Sequence, residues 1–287
     1  MCIRDRYYIG TTELFEDFKS KDGTKKLIFK LKDRNFIESV LLQEKNRITL
    51  CLSTQVGCKF GCAFCASGLG GFIRNLDASE MLDQVLFLRH KEGVHITNYV
   101  FMGMGEPLDN AENLFKAILI MNGPGGLGVA ARRITVSTCG IIPGIDLLKN
   151  LEPQVNLSIS LHAANNRLRN QLLPVNRRYP LEKLIEACKE YINEKGRLIT
   201  LEYVLIKDKN DSAKDADELS NIAKILRAKV NLIPYSVVDK LAFDTPGKTE
   251  ISVFTKRLRE NKVNVTVRHS KGQDIKAACG QLAGRKR

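Results

Sequence analysis

Short apolar segments alternate with segments of helical periodicity along most of this chain. The helical pattern is clearest after Asp77, a predicted N-cap: Glu80 completes a capping box, and Met81, Val85 and Leu88 form an apolar stripe. Two more helices are predicted at 181–194 and 212–227. The apolar segments predict strands at 48–52, 97–102, 132–137, 154–160, 199–205, 229–234 and 264–267. This alternation predicts an α/β fold with a parallel sheet, either open and doubly wound or curved into a full or partial barrel.

A region rich in strand patterns precedes the alternation. Strands are predicted at Leu27–Leu31 and Ile37–Leu42, and turn residues separate them at Asp33–Asn35. We therefore divide the chain into a β-rich N-terminal extension, residues 1–46, and an α/β domain, residues 47–287. In both folds that the alternation allows, ligands bind at the carboxyl ends of the parallel strands. Chemically distinctive residues that follow strands are therefore the candidates for a functional site.

The composition is that of a folded, basic protein without membrane segments. Hydrophobic residues make up 44% of the chain, but its longest apolar runs, such as Val85–Leu88 and Ile118–Met121, are far too short to span a bilayer. The N-terminus has no apolar segment of the kind that a secretion signal requires, so we expect a cytoplasmic protein. The formal net charge of +13 favours a polyanionic partner, nucleic acid first, although composition alone fits a basic enzyme equally well.

Three of the eight cysteines, Cys58, Cys62 and Cys65, follow a predicted strand with the spacing C-x3-C-x2-C. In a cytoplasmic chain such clustering favours metal binding or catalysis over disulfide bonds. Three thiolates hold a 4Fe-4S cluster and leave one iron open for a substrate or cofactor. The alternative, structural zinc, normally requires four ligands in paired motifs, and the chain has no second C-x2-C pair. The pattern therefore indicates a 4Fe-4S cluster with an open iron.

Other candidate residues have ordinary structural explanations when each is taken alone. The turn at 103–106 brings the carboxylate of Glu106 to the end of a strand, but it is also typical of a capped barrel turn. His162 fits a packed histidine, and Glu38 fits a solvated residue on an edge strand. Cys51 fits a core cysteine, and Cys279 fits an incidental thiol. Their assignment to a site depends on the motifs around them.

Several motifs, taken together and in order, resemble one known family. The cysteine spacing, with Phe64 before the last cysteine, is similar to the signature of the radical S-adenosylmethionine (SAM) superfamily. The further stretches 51–58 (CLSTQVGC), 71–76 (GFIRNL), 101–108 (FMGMGEPL), 158–163 (SISLHA), 231–234 (NLIP) and 274–282 (DIKAACGQL) resemble the RlmN class of 23S rRNA/tRNA (adenine-C2) methyltransferases. The Cfr class, which methylates adenine C8, shares most of them, but the pairs 106–107 and 71–72 are more similar to the C2 class.

The resemblance covers roughly residues 20–284 and implies a fold and a set of cofactor contacts. The implied fold is a partial (β/α)6 TIM-like barrel of the radical SAM type, behind the β-rich extension. Cys58, Cys62 and Cys65 correspond to the cluster ligands. The SAM contacts correspond to Gly105, Glu106, Ser137, Ser160, Leu161, His162 and Ser236. The family usually carries asparagine where this chain has Ser236, and a hydroxyl lacks the paired donor and acceptor of an amide.

The resemblance also implies the reaction. One SAM methylates Cys279, and a second is cleaved to a 5′-deoxyadenosyl radical that takes hydrogen from the S-methyl group, so two SAM are used per turnover. The methylene radical adds to adenine C2, a carbon that offers no nucleophile for a polar route. Cys51 then resolves the protein–RNA adduct by forming a transient disulfide with Cys279. Glu38 corresponds to the proposed general base.

The expected partners are 23S rRNA, with tRNA left open as a further substrate, and an electron donor such as flavodoxin. We expect a monomer that does not bind membranes, and the family's small helical accessory domain is missing from the N-terminal region. Three alternatives remain: C8 methylation, a radical SAM enzyme that does not methylate, and a noncatalytic RNA-binding protein with a structural metal. The second has no use for paired Cys51 and Cys279, and the third leaves the motifs at strand ends unexplained.

Overall fold

The computed structural model describes residues 12–284. The strands of this part of the chain are β1 (Thr12–Lys19), β2 (Lys25–Leu31), β3 (Phe36–Glu44), β4 (Arg47–Cys51), β5 (Gln55–Gly57), β6 (Phe72–Asn75), β7 (Asn98–Phe101), β8 (Ile134–Thr138), β9 (Asn156–Ser160), β10 (Thr200–Leu205), β11 (Lys229–Pro234) and β12 (Val265–Val267). Its α-helices are α1 (Ala78–Leu86), α2 (Ala111–Asn122), α3 (Ile142–Lys149), α4 (Asn166–Leu172), α5 (Leu181–Lys195), α6 (Ala213–Ile225) and α7 (Lys248–Glu260).

Ten of the strands form one sheet in the order β1-β2-β3-β4-β7-β8-β9-β10-β11-β12. Neighbours from β1 to β4 are antiparallel, and neighbours from β4 to β12 are parallel. The parallel strands lie side by side in chain order, whereas a doubly wound sheet reverses its order at a switch point. The doubly wound alternative is therefore wrong, and the winding is that of a β/α barrel. Because β1 and β12 end the sheet of the described residues, the barrel is partial.

The β-rich extension joins the barrel through this sheet. β3 pairs with β4 in a register that sets Val40 opposite Cys51. The predicted strands of the extension are confirmed as β2 and β3, but β1 was not predicted. Its residues alternate between half-buried and exposed, none is buried, and the apolar Phe15 is among the exposed ones. The boundary between residues 46 and 47 stays a prediction, and both domain ranges include residues outside 12–284.

Local signals explain where the principal helices begin and end. The predicted capping box of α1 is present, since Asp77 and Glu80 each bond the backbone of the other. Gly196 ends α5 with a left-handed φ of 63°, as glycine does at helix C-termini.

In β10 the five residues Leu201–Leu205 are all buried, which is the pattern of a parallel strand covered on both faces. None of the helices within residues 12–284 is long and apolar enough to cross a membrane.

Asn210 ties the loop after β10 to the neighbouring strand end. Its side chain is fully buried, donates to the carbonyls of His162 and Val204, and accepts a hydrogen bond from the Ile206 N–H. Asn210→Ala leaves these three backbone groups without partners. We therefore expect urea titrations to give a free energy of unfolding lower by ~2–4 kcal/mol.

Asn113→Ala is the control for this prediction. It removes a single, partly buried side-chain hydrogen bond, and we expect it to cost less than ~1 kcal/mol. Equal losses in the two variants would contradict a special role for the buried amide of Asn210.

Candidate active site

The three cysteines of the C-x3-C-x2-C motif lie together in the loop between β5 and β6. These short strands pair with each other, and the Cys58 N–H donates to the Gly71 carbonyl at 3.0 Å, which closes the loop. The Cys65 N–H donates to the Cys62 carbonyl at 3.0 Å, so the second half of the loop is a tight turn. The thiols of Cys58 and Cys65 both lie within electrostatic reach of Cys62. The fold thus brings the predicted ligands into one group.

Gly57 allows the loop to close. Its φ of 75° is left-handed, and a Cβ atom at this position would lie 1.9 Å from the Gly71 carbonyl oxygen. Only glycine combines this conformation with so close an approach of two backbone segments. The shape of the cysteine loop therefore depends on a residue that binds no cofactor itself.

The chemistry of the three thiols suits an iron–sulfur cluster. Burial raises the pKa of Cys58 to about 12 and also raises the pKa of Cys62 and Cys65, so the thiols lose their protons only on metal binding. Within residues 12–284, no three His, Cys, Asp or Glu side chains surround a position for a single metal ion. A cubane binds each thiolate to a different iron, so its ligands surround a wider body. The donor set of the cysteine loop, three thiols and no other ligand type, is the one that an iron–sulfur cluster takes.

The glycine-rich turn after β7 places Glu106 in the interior. Gly105 has a φ of 96°, and a Cβ atom there would lie 2.5 Å from Cβ of Gln55, whose Oε1 accepts the Glu106 N–H at 2.9 Å. The Glu106 carboxylate accepts hydrogen bonds from the Leu108 N–H at 3.1 Å and the Cys139 N–H at 2.8 Å. Glu106 thus caps the turn, as the structural alternative predicted. The side chains of Thr138 and Cys139 also hydrogen-bond to this carboxylate.

Residues at the carboxyl ends of β8 and β9 line the same rim of the sheet. The hydroxyls of Ser137 and Ser160 lie 3.3 Å apart, and Leu161 is buried with its N–H bonded to the Glu202 carbonyl. The His162 imidazole packs edge-on against Phe64, with ring centroids 4.9 Å apart. This contact connects the strand end to the cysteine loop.

The side chain of His162 is packed in the interior and is electrically neutral. Its Nδ1 accepts the Val204 N–H at 3.0 Å, so Nε2 carries the ring proton. Burial, and then the nearby charge of Arg169, lowers the pKa of His162 to about 3. The packed interpretation of this side chain is correct, and its backbone adopts a left-handed φ of 55°.

Cys51 and Cys279 approach each other beside the cysteine loop. Cys51 ends β4, and Cys279 lies in the segment 272–284 that follows β12. Cys279 is exposed, yet surrounding protein raises its pKa to about 12, and the thiols of Cys65 and Cys51 lie within electrostatic reach of it. The structure therefore places Cys279 beside Cys65 of the cysteine loop and near Cys51.

The segment 272–284 is held in place at both ends. Near the cysteine loop, the Ala66 N–H donates to the Gly280 carbonyl at 2.7 Å, and Ser67 Oγ donates to the Leu282 carbonyl at 2.6 Å. At its other end, the Gly272 N–H donates to Asp22 Oδ2 at 2.8 Å, in the turn between β1 and β2. The segment thus bridges the β-rich extension and the cysteine loop.

Glu38 and Ser236 both contact this segment. Glu38 lies in β3, which is flanked by β2 and β4, and it is 5% exposed, so the solvated edge interpretation is wrong. Burial raises its pKa, while Lys26 Nζ at 3.8 Å and the backbone of 283–284 oppose that shift. Ser236 is buried, and its hydroxyl accepts a hydrogen bond from Gln273 Nε2 at 3.3 Å.

Sequence reasoning missed two residues that organise the site. Gln55 binds the Glu106 turn and also donates to Asn75 and Asp109. Arg169 is fully buried in α4 and donates to carbonyls after β8 and β9. Its neighbours at 166–170 are polar except for Leu168 and predict a surface helix, so no sequence signal marked it. Of the remaining cysteines, Cys188 is buried in α5.

Comparison with known proteins places the chain first in a superfamily. Residues 52–219, more than half of the chain, match the radical SAM superfamily. A crystal structure of a radical SAM methyltransferase from Sphaerobacter thermophilus superposes with a TM-score of 0.92 at 44% identity and covers 95% of this chain and 81% of that one. The fold and the cysteine loop are therefore those of a radical SAM enzyme, a class that uses a 4Fe-4S cluster and SAM.

Closer relatives narrow the class to one family. A probable dual-specificity RNA methyltransferase RlmN of Alkaliphilus metalliredigens is 45% identical over 268 residues, which are 93% of this chain and 76% of the relative. A protein of the same name from Caldanaerobacter subterraneus subsp. tengcongensis is 46% identical over 281 residues, 98% of this chain and 82% of the relative. The chain belongs to the RlmN family.

The close approach at Gly57 generates a prediction about cluster assembly. Gly57→Ala forces the new methyl group against the Gly71 carbonyl, so the loop opens. We expect the iron and acid-labile sulfide per chain after anaerobic reconstitution to fall to less than about half of the wild-type content, because a shift of only ångströms in the ligands disrupts a metal site.

Gly71→Ala is the matched control. Gly71 also has a left-handed φ, 73°, but a Cβ atom there meets nothing within 4 Å. The control carries the conformational cost of about 1–2 kcal/mol without the collision and is expected to keep its cluster. Full cluster content in Gly57→Ala would mean that the loop tolerates a different closure.

Proposed function

We propose that this protein methylates C2 of an adenine in RNA through a methylated cysteine. The substrate is 23S rRNA, with tRNA as a second substrate. One observation carries the proposal: the exposed Cys279 is held against the cysteine loop by the Ala66–Gly280 hydrogen bond, with the thiol of Cys51 within electrostatic reach. A radical SAM enzyme of another reaction class has no need of a second pair of thiols beside its cluster.

The proposed roles follow from position. Cys58, Cys62 and Cys65 are the residues that would hold the cluster, which supplies the electron for cleavage of SAM when it is bound. The residues at the carboxyl ends of the parallel strands bind SAM: Gly105, Glu106, Ser137, Ser160, Leu161, His162 and Ser236. The buried carboxylate of Glu106 is suited to the ammonium group of SAM, since a charged donor and a charged acceptor form the stronger class of hydrogen bond.

Cys279 and Cys51 both act in the transfer of the methyl carbon to the RNA base. Cys279 carries the methyl group, and its exposure gives an RNA base access to it. Addition of the methylene radical to adenine C2 gives a nucleotide radical. This radical loses the C2 proton to a base and one electron, which the oxidised cluster would accept, so that in the closed-shell adduct the methylene carbon joins C2 to the sulfur of Cys279. The thiolate of Cys51 attacks that sulfur, a sulfur–sulfur bond forms, the carbon–sulfur bond breaks, and the methylene carbon takes a proton to become the methyl group. The disulfide is then reduced before the next turnover.

Glu38 is proposed as the base that removes the C2 proton. A general base is most effective when its pKa lies near the working pH, and burial raises the pKa of Glu38 from the ordinary carboxyl range toward neutrality. Its Oε2 atom has no hydrogen-bond partner among the described residues, so one lone pair is available for a proton.

RNA as the substrate is supported by the names of the relatives and by charge. The net charge is +13, and a groove of about 500 Å³ lies between α7 and the end of β12, the strand before the Cys279 segment. Lys248, Lys256 and Arg259 line the groove, and none of its lining residues is acidic. We propose that this basic groove binds phosphates of the RNA. An electron donor such as flavodoxin and a monomeric state complete the proposal.

The proposed roles of Cys279 and Cys51 predict different outcomes when each cysteine is replaced. We expect Cys279→Ala to give neither methylated RNA nor adduct, because no methyl carrier is present. Cys51→Ala loses its resolving thiol and should leave RNA covalently attached to the protein on denaturing gels. Cys188→Ala, a change in a buried thiol of α5, is the control and should release product.

Mass spectrometry of the released nucleosides completes this test. The proposal requires 2-methyladenosine. Release of 8-methyladenosine would support the C8 alternative, and methylated RNA from Cys279→Ala would contradict the methyl-carrier role. A protein that cleaves SAM but methylates no RNA would favour the nonmethylating alternative.

The basic groove generates a second prediction. Replacing all of its three cations by alanine removes phosphate contacts, so we expect weaker RNA binding and a slope of log K against log salt smaller by about 2. The control replaces three exposed lysines on other helices, Lys116, Lys189 and Lys214. Cleavage of SAM without RNA should be unchanged in both proteins. Equal weakening by the two triple variants would remove the groove from the RNA-binding surface.

A further inference from the structure

Arg169 is a buried cation without an anionic partner. The side chain is 0% exposed, and its three nitrogens are all engaged by neutral acceptors. Nε donates to the Leu161 carbonyl at 3.1 Å, and Nη1 donates to Asn176 Oδ1 at 2.8 Å. Nη2 donates to the carbonyls of Cys139 at 2.7 Å and Ser160 at 3.3 Å. Among the described residues, no Asp or Glu side chain forms an ion pair with this guanidinium.

A buried guanidinium without a counter-ion is costly. Arginine keeps its charge in proteins, and hydrogen bonds to neutral acceptors compensate only part of its lost hydration. A buried cation is usually paired with an anion. Each nitrogen of the Arg169 guanidinium has at least one neutral acceptor, so what distinguishes the site is the lack of a negative charge.

The cysteine loop is the place where that negative charge arises. The Ala63 N–H donates to the Leu172 carbonyl at 2.9 Å, which ties the loop to α4, the helix that carries Arg169. The thiols of Cys139 and Cys62 lie within electrostatic reach of the guanidinium. Three thiolates around an oxidised cubane of charge two plus leave one net negative charge, and reduction by one electron adds a second.

We propose that Arg169 is a positioning residue whose buried charge stabilises the reduced cluster. It counters the negative charge that the electron adds, in an interior of low dielectric where water cannot do so. Its effect is therefore larger on the reduced cluster than on the oxidised one, which raises the reduction potential. Three of its four hydrogen bonds, those to the carbonyls of Cys139, Ser160 and Leu161, hold the ends of β8 and β9 at the SAM-binding rim.

The alternative is that Arg169 only clamps the strand ends. A clamp changes stability and SAM binding but leaves the reduction potential of the cluster unchanged. A measurement of the reduction potential therefore distinguishes an effect of the Arg169 charge from a purely structural effect. This inference rests on the cysteine loop as the cluster site and does not depend on which RNA is methylated.

The experiment measures the cluster potential in variants of the full chain. Anaerobically reconstituted protein is titrated with a low-potential one-electron reductant, dithionite, and the reduced cluster is counted by electron paramagnetic resonance. Arg169→Gln and Arg169→Met both remove the charge, and they differ in folding risk because methionine suits an apolar interior. Arg169→Lys keeps the charge and loses most of the hydrogen bonds.

Arg197→Gln is the matched control. Arg197 donates to the Gln154 carbonyl at 2.7 Å and to Asn156 Oδ1 at 2.8 Å, at the amino end of β9, so it clamps the same strand at the end away from the site. It should lower stability without changing the potential.

We expect the neutral variants to reduce the equilibrium constant for cluster reduction about tenfold, which is 59 mV for one electron. Arg169→Lys should keep most of the wild-type potential while its thermal stability falls. Two results overturn the proposal: a wild-type potential in a neutral variant with full cluster content, or an equal loss of potential in the lysine and neutral variants. Loss of RNA methylation with an unchanged potential would count against the charge role and leave the proposed reaction standing.

Discussion

A parallel sheet wound in one direction brings the carboxyl ends of all its strands to one rim, and the candidate active site depends on this constraint. β4 delivers Cys51, β8 delivers Ser137, β9 delivers Ser160, and β11 is followed by Ser236. These residues are far apart in sequence and share no local motif. The rim places them around the cysteine loop without any specific contact being required of each. Local hydrogen bonds and packing contacts then set the positions of the side chains that the sheet topology has brought together.

Much of this topology follows from the pattern of apolar positions, because strand burial and helical periodicity are local. The order of the strands is not local. Periodicity allowed both a doubly wound sheet and a barrel, and only the pairing of each parallel strand with its chain neighbour decides between them. The pattern of apolar positions did not predict β1 either. Its sequence alternates weakly, and its pairing with β2, not its own burial, makes it a strand.

The candidate site was predictable where chemistry depends on spacing and unpredictable where it depends on tertiary burial. The cysteine triad is a local spacing, and it formed one group as expected. Glu38 looks like an exposed charge in an alternating strand, yet the sheet extends past it on both sides and buries it. Arg169 lies in a mostly polar stretch whose residues predict a surface helix. The fold turns it into a cation that is fully enclosed, and a resemblance to a family names ligands but not such supporting charges.

The segment that carries Cys279 also has a consequence for the order in which the site is built. Ser67 of the cysteine loop and Leu282 of this segment are joined by a hydrogen bond across 215 positions of sequence. A ribosome therefore completes the cysteine loop, and most of the sheet behind it, well before the segment that lies against the loop exists. During that interval the cysteine loop is not yet covered by the segment that carries Cys279. The entropic cost of closing a loop rises with its length, so the local turns of the cysteine loop form at a lower entropic cost than the contact that adds this segment.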